Sequence, residues 1–361
     1  MSGPGPQAEL QLEILREVSG RAVLAEADGT IHLGRNYDIV RSHDEGESFV
    51  RVASFPRSLW RRGAEVSRLA CRLLRQEVRA LVRLSDGSYV AANREGVFFG
   101  PGDGGVLQDS EVESGDCELM PPFRMARGPA DEVVWGEYGS WREPRPIRIF
   151  VSTDAGRHFE SVHAFAPNEV LHVHNVCYDA GGDLYWILAG DHGPHPGIGM
   201  LSSDFQRFEW LARGEQDFRA VHVFDFGDRL VYPTDTEVAL NGVIWLDKAT
   251  GEARRVCELP GSGIYACRFG GIYALSTTVE PSKINTATAS GLWLSRDGED
   301  WKVAYWGEKD RWSAHYFQFG SLVLPAGESD SETLFFSGQA IRELDGRTLV
   351  ARLVPGEGTG S

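Results

Sequence analysis

Several features are scarce in this chain of 361 residues, and each scarcity removes a class of protein. Cysteine is one: Cys71, Cys117, Cys177, Cys257 and Cys267 are odd in number, widely spaced and without a C-x-x-C pair. That pattern excludes a disulfide framework and a zinc knuckle and predicts reduced, packed thiols. Long apolar runs are missing, since nothing approaches the roughly 18 apolar residues of a membrane span. The opening MSGPGPQAEL also lacks the basic and apolar regions of a secretory signal. A cytoplasmic protein without membrane contact is expected. Basic residues are in deficit, 36 Lys plus Arg against 52 Asp plus Glu, for a formal charge of -16. Nucleic acid is therefore not an expected partner, because phosphate neutralisation needs the opposite surplus.

What the chain does hold is 42 glycines together with 18 Phe, 10 Tyr and 10 Trp, a signature of aromatic-rich strands joined by many turns. One pattern recurs: an alternating apolar run, a Gly/Asp turn, and a second apolar run. The turns fall at Asp28-Gly29, Asp86-Gly87, Gly128 to Asp131, Gly181 to Asp183, Gly227-Asp228, Gly270-Gly271 and Gly320-Ser321. Markers Gly29, Gly87, Ala130, Gly182, Gly227, Gly270 and Gly320 are 58, 43, 52, 45, 43 and 50 residues apart. Gly and Asp supply the positive φ of tight hairpins. Two further strand patterns follow most hairpins, as in 242–256 and 291–306, so each period holds four strands, which is what a propeller blade needs. The expected fold is all-β: a seven-bladed β-propeller of four-stranded antiparallel blades, with six blades as the alternative. The domain should run over 9–354, with disordered ends at 1–8 and 355–361, whose Pro/Gly-rich composition buries little surface. Residues 9–18 alternate weakly and are assigned as a strand closing the last blade. Residues 58–78 carry apolar residues at helical spacing and predict one interblade helix. Its arginines, Arg61, Arg62, Arg68, Arg72 and Arg75, form either a solvated face or a dock for an anionic partner.

The turns after the third strands are more specific. Ser42 to Phe49 (SHDEGESF) and Ser152 to Phe159 (STDAGRHF) fit S-x-D-x-G-x-x-F/W, while Ser295 to Trp301 is one residue short and Ser202 to Phe208 lacks the glycine. These segments resemble the Asp-box (BNR) repeat of sialidase-like propellers. The resemblance implies that the boxes lie on outer turns and that ligands bind in the central funnel. A sialidase also needs three arginines on a carboxylate, a Tyr/Glu pair and an Asp acid, and these do not map residue by residue. Arg35, Arg94, Arg124 and Arg219 lie near predicted inner strands but in no family motif. The resemblance thus implies architecture without an activity. Physically the box is a turn device, a short carboxylate accepting backbone N–H groups beside a glycine.

In a hairpin, the start of the first strand and the end of the second share one end of the sheet. Such positions from all blades converge on one mouth of the channel. Second-strand ends place Glu137, Asp191, Asp235 and Glu280 there, spaced 54, 44 and 45 residues, with Glu328 as a further member. First-strand starts add Arg124, His172, His174, Arg219, Tyr265 and His315. His172 and His174, two apart, share a strand face, and His192 and His195 follow closely. Tyr138, Arg124, Arg219 and His315 are the candidate substrate-binding residues, and Glu137, His172, His174, Asp191, Asp235 and Glu280 the candidate catalytic ones. Three readings of the group stand open. A divalent ion, Zn, Mn or Fe, suits His172, His174 and Asp191, since imidazole and carboxylate are its usual ligands. Crowded acids beside histidines suit acid/base chemistry, because their pKa values are forced apart. Hydrogen-bonded lining of a water-filled channel needs no chemistry at all. The expected function is a carbohydrate-active or related small-molecule enzyme, a hydrolase or lyase. The alternatives are a glycan- or protein-binding propeller and a metal-dependent enzyme for a non-sugar metabolite.

Overall fold

The computed structural model describes residues 10–57, 65, 67–115, 118–139 and 144–355. The alternating runs become strands that pair antiparallel in chain order, beginning with Arg21–Ala25, Ile31–Arg35, Asp38–Ser42 and Val50–Ser54. The same meander recurs from innermost strands at Ala80–Arg83, Ala126–Arg127, Val173–Asp179, Phe224–Asp225 and Ser262–Phe269. The final sheet joins the two chain ends. Gly320–Val323, Thr333–Gln339 and Arg347–Pro355 are completed by Leu10–Ser19, which runs antiparallel to Arg347–Pro355 from Leu10 opposite Pro355 to Ser19 opposite Arg347. The architecture is an all-β propeller with its apolar core between successive sheets. Trp135, for example, is fully buried with ring centroids 4.6 Å from Phe150 and 5.7 Å from Phe159.

Six of the expected hairpin turns connect first and second strands, but the turn assigned to Gly320-Ser321 does not. Those residues begin an inner strand, and the chain turns only after Ser329. Pro325, which has no N–H to donate, ends the pairing with Thr333–Gln339. Beyond it Ala326–Ser329 lies parallel to both Arg21–Ala25 and Ser262–Phe269, linking neighbouring inner strands. Glu328 is accordingly carried away from the histidine mouth and pairs with Arg268 at 3.0 Å.

The four S-x-D turns share one bond pattern whether or not the motif is complete. Ser42, Ser152, Ser202 and Ser295 each donate Oγ–H to the Asp two residues on, at 2.6, 2.9, 2.5 and 3.1 Å. Each Oγ also accepts a backbone N–H, from Gly46, Gly156, Arg207 and Gly298 respectively, at 2.9 to 3.0 Å. Where the third copy has no glycine, Phe205 itself takes φ 60°.

Among the described residues of the expected interblade helix, Arg68–Leu73 is helical, with Ser67 capping it by accepting from Ala70 N–H at 3.3 Å; it stops short of the expected end at 78, and the chain leaves through Arg75 at φ 55°. Residues 58–64 and 66 of the expected helix, with Arg61 and Arg62, lie outside the described residues. Arg68 and Arg72 do not form a solvated face: Arg68 pairs with Glu77 and Asp345 at 3.0 Å, and Arg72, 1% exposed, holds Asp310 and the Phe317 carbonyl. Cys71, Cys177, Cys257 and Cys267 are free thiols, and Cys117 lies outside the described residues. No described helix is long and apolar enough to cross a membrane.

Candidate active site at the channel mouth

The inner strands enclose a channel with two chambers that share Val221 and Ile264 at their waist. The smaller chamber, about 220 Å³, takes in Arg79, Tyr138, His174, Asp235 and Tyr265. Above it stand the residues that the blade spacing brings together.

His172 and Val173–Asp179 belong to one blade, and the turn after Leu184–Ala189 brings Asp191 over them. Gly190 makes that turn possible at φ 117°, where a Cβ would sit 2.2 Å from the Pro196 backbone. His172 Nε2 is 3.4 Å from Asp191 Oδ2, and His174 Nε2 is 3.3 Å from Oδ1. Each imidazole is oriented by its other nitrogen. Nδ1–H of His172 donates to the Gly139 carbonyl at 3.1 Å, and that of His174 to the Ala220 carbonyl at 2.9 Å. These bonds tie neighbouring blades and also settle the tautomer, since a carbonyl only accepts. A neutral ring then turns a bare Nε2 lone pair towards a carboxylate, so each contact requires a second ring proton or a cation. Burial pushes the His172 pKa down, against the second proton. Burial would likewise raise Asp191, but bonds from protonated His172 and His174 would outweigh it and hold the carboxyl far below its ordinary range. Two imidazole nitrogens and one carboxylate oxygen lie within 4.8 Å of one another, an arrangement able to hold a metal ion.

Arg219 is the hub of the acid group. Its Nη2 lies 2.7 Å from Asp191 and 3.8 Å from Asp235, and its Nη1 is 2.6 Å from Glu237. Glu237 also meets His192 at 3.2 Å. One guanidinium therefore serves three carboxylates, and a fourth, Glu280, feels the excess. Burial and then the charges of Asp235 and Glu237 push its carboxyl from 4.5 to about 7, with Arg219 opposing. Tyr138 packs on His172 with centroids 4.7 Å apart, and the guanidinium carbon of Arg79 lies 5.9 Å from the Tyr138 ring centroid. Its phenol is pushed well up by burial and by Asp235 and Asp191.

Thus His172, His174, Asp191, Arg219, Asp235, Glu280 and Tyr138 are brought together. Glu137 is not: its fully buried carboxylate is held by Arg145 and, at 2.9 Å, by Arg148, which also donates its backbone N–H at 3.0 Å. His315 stands exposed on the short helix Ala314–Phe317 beside Arg68–Leu73. Arg124 lines the second chamber instead. Among the aromatics, Trp135, Trp186 and Tyr232 are core filling. The spacing argument missed Glu237, although it stands two residues from Asp235, the same-face signal already used for the histidines. It also missed Arg79, which lies at the start of a first strand but before any recognised motif.

No family model and no curated protein matches the sequence of this chain. Solved structures do match its fold. Virginiamycin B lyase from Staphylococcus aureus aligns with a TM-score of 0.60 at 12% identity, over 96% of this chain and 100% of that one. A catalytically inactive histidine-to-alanine variant of that lyase, solved with quinupristin, matches equally well. A chain of the mitotic checkpoint complex aligns with a TM-score of 0.56 at 9% identity, over 98% and 99%. The fold is a β-propeller. At these identities the likeness concerns the fold alone.

Proposed function

We propose that the channel mouth is the active site of a small-molecule hydrolase or lyase, acting on a carbohydrate or a related metabolite by acid/base chemistry. The observation that carries this reading is the convergence of two backbone-oriented imidazoles on one carboxylate, beside a second carboxyl that keeps its proton to about pH 7. Glu280 is the proton donor to a leaving oxygen, while Asp235, 3.8 Å from Arg219, acts as the base. His172 and His174 exchange a proton with the ligand at Nε2, and Asp191 stabilises the imidazolium that results. Tyr138 and Arg79 position the ligand in the chamber below. Protonated and ionised carboxyls side by side serve either bond hydrolysis or elimination of a leaving group. A lyase of the same fold, inactive once a histidine becomes alanine, is compatible with the second.

A divalent ion is the second reading, favoured by the buried His172 Nε2, which makes no hydrogen bond although Asp191 Oδ2 stands 3.4 Å away. His172, His174 and Asp191 would hold Zn, Mn or Fe, which would act as a Lewis acid towards ligand oxygen. The same proposal counts seven blades over 9–354, closed by Leu10–Ser19, and places the chain among Asp-box propellers, supported by the shared Ser–Asp turn bonds.

The test pairs elemental analysis of the purified protein with turnover of 4-nitrophenyl glycosides and uronate oligosaccharides. The acid/base reading expects turnover without stoichiometric metal, abolished by Glu280→Gln and by His172→Ala. Metal at one equivalent, lost in His172→Ala/His174→Ala, moves the assignment to the second reading. Turnover unchanged by these substitutions removes the mouth from the chemistry, and saturable glycan binding without turnover makes the chain a binding propeller.

A further inference from the structure

The second chamber of the channel, about 570 Å³, opens away from the histidines. Leu24, Val82, Met125, Val176, Val223 and Ile264 give it apolar wall segments beside polar groups that include Asn175, Tyr178 and His222. Charged groups at its rim are already paired: Arg83 with Glu26 at 2.9 Å, Arg127 with Asp131 at 2.6 Å, and Glu328 with Arg268 at 3.0 Å. His222, in the wall, is kept neutral near neutral pH because burial draws its pKa down to about 4. At the inner end stands Arg124, and Arg124 is different.

It is 9% exposed, and its guanidinium carbon lies 4.9 Å from the Phe123 ring centroid and 5.1 Å from that of Tyr265. Its hydrogen bond is from Nη1 to the Arg79 carbonyl, at 3.4 Å. Among the described residues no carboxylate lies within ion-pair distance of it. Aromatic faces offset part of the desolvation of a guanidinium, but a buried charge without a counter-ion remains costly. Arg is also the side chain whose planar fork best matches a two-oxygen anion. A cavity of this size with apolar wall segments, a few polar groups and one convergent unpaired charge has the form of a small-ligand site.

We propose that the second chamber binds a small organic anion, a carboxylate or sulfonate with an apolar body, its head on Arg124 and its body along Val82, Val176, Val223 and Ile264. The site is separate from the mouth and does not depend on the chemistry assigned there.

Isothermal titration of the full chain with octanoate and with octanamide tests this, since the two probes share a body and differ in charge. Octanoate should bind at one equivalent and octanamide about tenfold more weakly or less. Arg124→Gln should abolish the preference, Arg124→Lys should retain part of it, and His172→Ala should leave it unchanged. Equal affinity for the two probes, or no saturable binding of either, overturns the proposal on the wild-type chain alone, even if Arg124→Gln does not fold. Loss of the preference in His172→Ala but not in Arg124→Gln would place the anion at the mouth and overturn it as well.

Discussion

Glu280→Gln separates the electrostatics of the mouth from its shape. The carboxyl is pushed from 4.5 to about 7 by burial and by Asp235, Glu237 and Asp191, with Arg219 opposing. A raised carboxyl binds its proton more tightly in the folded state than in the unfolded one. Its contribution to stability is therefore fully present below about pH 4.5 and is lost as pH rises through about 7. The rise corresponds to ~3 kcal/mol, and partial access to solvent reduces this to roughly 2 kcal/mol. Glutamine keeps the size and the hydrogen-bonding capacity but cannot ionise. The variant should match the wild type at pH 4 to 5 and exceed it by roughly 2 kcal/mol near pH 8.5. Guanidinium chloride midpoints of both proteins at the two pH values measure the difference, with a 13C-carboxyl titration of Glu280 as the direct check. An equal effect at both pH values, or a Glu280 carboxyl titrating near 4.5, would refute the reasoning.

Two further outcomes follow from the contacts. Arg219→Met leaves Asp191, Asp235 and Glu237 without their shared cation, and should cost about 3–5 kcal/mol at neutral pH; adding Asp191→Asn should recover part of the loss in the same denaturation assay, and no recovery would contradict the hub role. Deleting residues 1–19 removes the strand paired to Arg347–Pro355 and bares a sheet edge; a lower melting midpoint with concentration-dependent association on size-exclusion chromatography is expected, and an unchanged midpoint and elution volume would contradict the closure.

The turns that proved legible were local. Asp28-Gly29 or Gly270-Gly271 announces its hairpin because the positive φ is demanded within the turn itself, and Gly29, Gly270 and Gly271 all adopt it. The Ser–Asp turns were readable for the same reason, even at Ser202 with no glycine. Gly320 misled because a glycine was taken for a turn where Pro325, five residues on, ends the pairing. The helical spacing of 58–78 was legible where Arg68–Leu73 forms its turns, but the fate of Arg68 and Arg72 was not, since Asp345 and Asp310 are distant partners that no local spacing reveals.

The candidate site divides along the same line. By itself the sequence determined that acids at blade spacing and a His-x-His pair would reach one end of the channel, because strand alternation and hairpin geometry depend on near neighbours in the chain. Only the tertiary structure decided what each group does there. Glu137 shares its spacing with Asp191 yet is enclosed by Arg145 and Arg148, while Asp191 faces two imidazoles and shares Arg219 with two other acids. Glu280 is raised first by burial and then by Asp235, Glu237 and Asp191, which a single Arg219 must answer for, and Arg124 lines the second chamber with no acid among the described residues within ion-pair distance. The physical reason is that charge state depends on burial and on partners contributed by other blades, and those sums exist only once the ring of sheets is assembled.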